Sequence, residues 1–212
     1  MHQLRDRRYR ILAWLTLGIA LTGTHFAGSA GAATVLYDNG AIVGTQGSGA
    51  PSISPAEVVD SFDISSASTI TGTANVGLWI SRGDVPSTVD WAIRTAPFSG
   101  VLASGTASWS ASFLFTNPFN FDIYSGGFSI PDLPVAAGTY YLSLGNAVTV
   151  PAGSTFWDRS GGPSQVFDGS TNLSNSFQII GNVGAPASAP EPATIVLMAL
   201  SLVALGRFRR YL

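Results

Sequence analysis

The sequence predicts an all-β fold: a two-sheet antiparallel sandwich, jelly-roll-like, flanked by an N-terminal signal helix and a C-terminal transmembrane helix. Three observations predict it. Short runs alternate apolar and polar residues with the period of two that one-sided burial imposes on a strand. Clusters of Gly, Pro, Asn and Ser interrupt these runs at a spacing of about ten residues, as in sandwiches and barrels. No helical period of useful length occurs outside the two ends of the chain. Closure into a barrel is the alternative.

Residues 1–33 read as a signal peptide. Arg5, Arg7, Arg8 and Arg10 make a charged n-region, 11–21 is an apolar h-region, and Ala30-Gly31-Ala32 supplies the small residues of a cleavage site. Arg7-Arg8 raises the twin-arginine route, whereas Asp6 and the lack of a following Phe-Leu pattern favour the general secretory one.

Residues 34–181 are the β-domain. In 69–80 the residues Ile70, Gly72, Ala74, Val76, Leu78 and Ile80 share a face, as do Val89, Trp91 and Ile93, and Tyr140, Leu142 and Leu144. Phe121, Ile123, Phe128 and Ile130 belong to a strand with a bulge expected at Gly126-Gly127, where the buried face can switch. Further strands are expected at 35–38, 58–64, 101–115 (bent), 156–159, 166–167 and 177–180. Residues 182–188 read as a flexible linker.

The tail, 189–212, has three parts: Pro190-Glu191-Pro192, an apolar run ending at Gly206, and Arg207, Arg209 and Arg210. Proline disfavours helix before Pro192 and lets one start after it. The run has no polar stripe, so its solvent is lipid or a protein core. About fourteen residues at roughly 1.5 Å each fall short of a hydrocarbon layer of about 30 Å, and the arginines decide for a membrane, because they hold that end in the cytoplasm. With positive charge inside at both ends, the domain between them is exported.

Composition removes many functions. Residues 34–187 carry three arginines, nine aspartates and one glutamate, a net charge of −7, which disfavours nucleic acid. They contain no Cys, Lys or His, which excludes Ser-His-Asp and Cys-His catalysis, Walker loops and the usual zinc sites. Trp157, Asp158 and Arg159 beside Gly161-Gly162-Pro163 form a candidate ligand-binding loop, since an aromatic face, a carboxylate and a guanidinium together suit a sugar. Asp38, Asn39 and Asp168 are candidate calcium ligands joining the chain ends. No other cofactor is expected. The one glutamate, Glu57, and the scattered aspartates fit turns and strand ends better than a catalytic pair.

The succession of Pro-Glu-Pro, apolar run and arginines resembles the PEP-CTERM sorting signal of Gram-negative bacteria. That resemblance implies recognition through Pro190, Glu191 and Pro192 by a membrane-embedded exosortase. It also implies transient anchoring in the inner membrane and release to the cell surface or exopolysaccharide matrix. Residues 133–142 resemble a late-strand motif of secreted bacterial sandwich domains. Segments 87–105, 119–124, 156–158 and 162–165 resemble a recurring domain of proteins with this signal, which implies no particular activity. The resulting expectation is a non-enzymatic surface or matrix protein, structural or adhesive, with exopolysaccharide as a candidate ligand. The alternative is a secreted carbohydrate-active enzyme using paired carboxylates.

Overall fold

The computed structural model describes residues 33–45, 49–167 and 174–184. Residues 1–32 of the expected signal peptide, Asp168 and the chain from 185 onward lie outside them, so the two expected terminal helices do too. Among the described residues the fold is all-β, 69% strand without helix, and the sheets form a half-barrel.

In chain order the strands are β1 (Thr34–Asp38), β2 (Val58–Ile64), β3 (Ser68–Ser81), β4 (Val85–Ala96), β5 (Ser99–Ser108), β6 (Ser110–Thr116) and β7 (Phe121–Val135). Then come β8 (Gly138–Val150), β9 (Thr155–Trp157), β10 (Arg159–Ser160), β11 (Val166–Phe167), β12 (Ser174–Asn175) and β13 (Gln178–Val183). One sheet runs β1-β13-β3-β7-β6 with β9 beside β3, and the other runs β11-β2-β8-β4-β5. The pair β10-β12 stands apart, and every pairing is antiparallel.

The expected phases place the core. Val89, Trp91, Ile93, Tyr140, Leu142 and Leu144 of one sheet share a single buried cluster with Ile70, Val76, Leu78, Ile80, Phe128 and Ile130 of the other. Trp91 and Phe128 meet across it with ring centroids 6.3 Å apart. The run expected as one bent strand is two. The chain leaves one sheet after Ser108 and enters the other at Ser110, and the Trp109 ring stands edge-on to Phe128 at 5.3 Å in the corner.

The bulge expected at Gly126-Gly127 sits on the partner strand. Thr73 faces Phe128 and Val76 faces Gly126, so Ala74 and Asn75 together oppose Gly127, with Asn75 at φ +47°. On β7 ordinary alternation puts Ile123 opposite in face to Phe128 and Ile130. Ile123 is nonetheless fully buried, because Phe115 and the chain at Gly44 cover the outer face there. β13 continues through Val183, two residues into the stretch read as linker.

Candidate functional site

The three residues expected to meet a ligand point inward. Trp157 is fully buried, its indole N–H donates to Ser176 O at 3.0 Å, and its ring lies 5.5 Å from that of Phe177. Asp158 is also fully buried and accepts from Val43 N at 2.7 Å, Gly44 N at 3.0 Å and Trp79 Nε1 at 2.7 Å. Burial raises its pKa, against the pull of those hydrogen bonds. Arg159 is buried with Nε donating to Gly49 O. The tripeptide therefore ties Val43, Gly44 and Gly49 to the β3 side of the domain and offers no face to a sugar. Local composition reads the same whether such a tripeptide turns out or in, and the donors to Asp158 lie 79 to 115 residues away.

Asp38 and Asn39 are likewise committed to the protein. Asp38 accepts from Gly40 N and Gln178 Nε2, each at 2.9 Å. Buried Asn39 donates through Nδ2 to Ser164 Oγ, to Ser174 Oγ at 2.6 Å and to Asn175 O at 2.7 Å, while its Oδ1 accepts from Tyr37 OH at 3.0 Å. An amide that presents its nitrogen to this cluster does not turn an oxygen toward a cation there. The third expected ligand, Asp168, lies outside the described residues. Among those residues no group of three or more His, Cys, Asp or Glu converges as a metal site.

Asp60 joins this polar interior from β2. Its register partner is the core residue Leu142, so alternation sends the carboxyl inward, where it accepts from Asn175 N at 2.7 Å. Burial pushes its pKa to about 7, although hydrogen bonds and the charge of Arg159 oppose the shift. Its Oδ1 and the side-chain amide of Asn175 are buried without hydrogen-bond partners among the described residues.

An accessible concavity lies on the outer face of the β11-β2-β8-β4-β5 sheet. Alternation that turns Val89, Trp91 and Ile93 inward turns Asp90, Ala92 and Arg94 outward, beside Ser143 and Gly145 of β8 and Ser104 and Thr106 of β5. These residues, with Glu57 and Asn146, line a groove of about 430 Å³. Small residues make its floor. A Cβ on Gly145 would sit 3.2 Å from Ala56 O, so the loop that carries Glu57 would have to give by a few tenths of an ångström.

The groove's polar groups are held in place. Arg94 pairs with Glu57 at 2.6 Å, and Glu57 also accepts from Ser143 Oγ. Asp90 accepts from the Thr106 hydroxyl and, at 2.9 Å, from Asn146 Nδ2. The Ser143 hydroxyl and then Arg94 lower the Glu57 pKa; the Thr106 hydroxyl and then Asn146 lower that of Asp90. Both carboxylates are thus ionised acceptors, and with Arg94 they leave the groove one negative charge. Its site residues were missed by the sequence reading, although Asp90 and Arg94 fall out of phase with the core residues of β4 and so had to lie on the outer face.

The chain carries a second functional region in its sequence. Residues 188–210 match the PEP-CTERM protein-sorting motif. No curated protein matches the chain. The motif marks an exported protein that is anchored at the membrane before an exosortase processes it.

Proposed function

We propose that the exported domain is a non-enzymatic binding module for a neutral polysaccharide of the cell surface or matrix, with a structural or adhesive role. In this reading the half-barrel is an open variant of a jelly-roll sandwich. The observation that carries the proposal is the outer groove, in which four neighbouring segments aim pre-oriented acceptors and donors at one solvent-filled space. Such groups match the hydroxyls of a sugar, and fixing them in advance lowers the ordering cost of binding. The negative groove and the acidic domain favour neutral sugars over uronic acids.

The glycosidase reading draws on one observation, the presence of Glu57 and Asp90 in one groove. Hydrolysis needs one carboxylic acid with a raised pKa, and both of these are lowered, which favours binding. Affinity electrophoresis of the exported protein in gels containing neutral or uronate polysaccharide tests the proposal. Neutral glycans should retard the wild type, and Asp90→Ala with Arg94→Ala should run unretarded. Release of reducing ends, absent in Glu57→Gln, would support the enzyme instead.

A further inference from the structure

We infer that the tip of the β4–β5 hairpin, at Pro97-Phe98, is an interfacial contact that rests on the lipid bilayer while the tail anchors the chain. Register puts this tip at the tail's end of the domain. Val183 pairs with Ser68 and Gly184 N donates to Ala67 O at 2.8 Å, in the β2–β3 connection. At that same end Ile64 faces Gly138, and Arg94 faces Tyr141, so β4 reaches the level of Gly138 as it turns at Pro97. The sorting motif begins at residue 188. The apolar run after Pro192 starts nine steps of chain from Gly184, which span at most about 32 Å. This end of the domain is therefore the one tethered nearest the membrane.

The tip itself has the chemistry of such a contact. Ala96 pairs with Ser99, leaving Pro97 and Phe98 as a two-residue turn in which Phe98 has φ +57°. Glycine is the ordinary occupant of that position, because a Cβ is strained there. Phe98 instead presents an aromatic ring that is 52% exposed, with Val101 and Leu102 exposed behind it. No charged residue occurs from Thr95 to Phe121. An unpaired apolar tip on a strained turn is costly in water and favourable at the headgroup level, where aromatic rings concentrate. Exposed Val85, Val148 and Val150 lie at the opposite end, farther from the tether, where Val85 pairs with Val150.

The chain has no cysteine, so a single introduced one carries the only label. Full-length chain bearing Glu191→Ala is reconstituted in phosphatidylethanolamine–phosphatidylglycerol vesicles with Ser99→Cys or Val148→Cys linked to an environment-sensitive fluorophore. The label at 99 should shift to the blue and be quenched by lipid-borne nitroxides, and the label at 148 should report water. Water at 99, or lipid at both positions, overturns the inference. Phe98→Gly with the label at 99 should melt higher than its parent and lose the quenching. Unchanged quenching in that variant would also overturn it, and the higher melting temperature separates lost contact from lost fold.

Discussion

Asp60 is the residue at which sequence and environment conflict most. A carboxyl with an ordinary value of 3.8 is pushed to about 7 by burial, so the folded chain holds a proton that the unfolded chain has released. Stability from this site is complete below about pH 4, falls as pH rises toward 7 and levels off above it. A shift of about three units corresponds to at most about 4 kcal/mol, or a melting temperature about 10 °C lower at neutral pH than near pH 4. Asp158 shifts the same way, while the lowered Glu57, Asp90 and Asp122 act oppositely, Glu57 and Asp90 from solvent-facing positions where screening keeps each contribution small. Melting followed by circular dichroism across this range should show the decline in the wild type and a flatter profile in Asp60→Asn. A wild-type curve that rises steadily from pH 4 to 7 would refute the assignment.

Asp158 supports a second expectation at the same scale. Its carboxylate binds two consecutive backbone N–H groups and the Trp79 indole, so Asp158→Ala strands three buried donors at once. Each stranded donor costs about 1–3 kcal/mol, and relaxation of loop 43–44 into water recovers part of it. The variant should lose about 3 kcal/mol in urea unfolding, with hydrogen-exchange protection at Val43 and Gly44 lost first. Retained protection there would show that the loop is held by packing alone.

Among the elements, the bulge on β3 gives the sharpest test. A Cβ on Gly127 would stand 2.6 Å from Thr73 O, a backbone atom that cannot move without breaking the ladder. Gly127→Ala should therefore destabilise by more than about 1 kcal/mol, whereas Gly83→Ala, at a turn with open space around it but φ +86°, carries only the backbone strain. Thermal melts of the two variants give the comparison, and equal losses would deny the bulge its role. The same strands show what the sequence could reveal. β2, β4 and β8 were legible because apolar residues recur along them with a period of two, as in Phe62 and Ile64 and in Val89, Trp91 and Ile93, although Val59 is buried beside Val58. The second half of β3 buries both faces, Leu78 and Ile80 inward and Trp79 under Phe119 and Phe121, which only tertiary structure explains. β12 was not foreseen, since Ser174 and Asn175 are buried by hydrogen bonds to distant Asn39 and Asp60 and carry no apolar pattern. For the site, the phase of β4 could have located the groove's face, but composition directed attention to Trp157-Asp158-Arg159 instead.

For the whole molecule, the tail decides where the domain finishes, and its three parts make separable contributions. Glu191→Ala leaves the apolar run and the arginines intact, so insertion and orientation, which depend on those features, should persist. Processing should stop, because the tripeptide is the part that an exosortase would read. The variant should accumulate as an uncleaved, membrane-bound species heavier than the released form by the mass of the tail. Arg207, Arg209 and Arg210 changed together to Ser remove the positive charge expected to hold the C-terminus in the cytoplasm, so this tail should slip through or insert poorly. Fractionation and immunoblotting distinguish the two defects: one accumulates in the membrane, and the other is depleted from it. Normal release of Glu191→Ala would mean that residues 193–212 act as an ordinary anchor and that the tripeptide has no part in release.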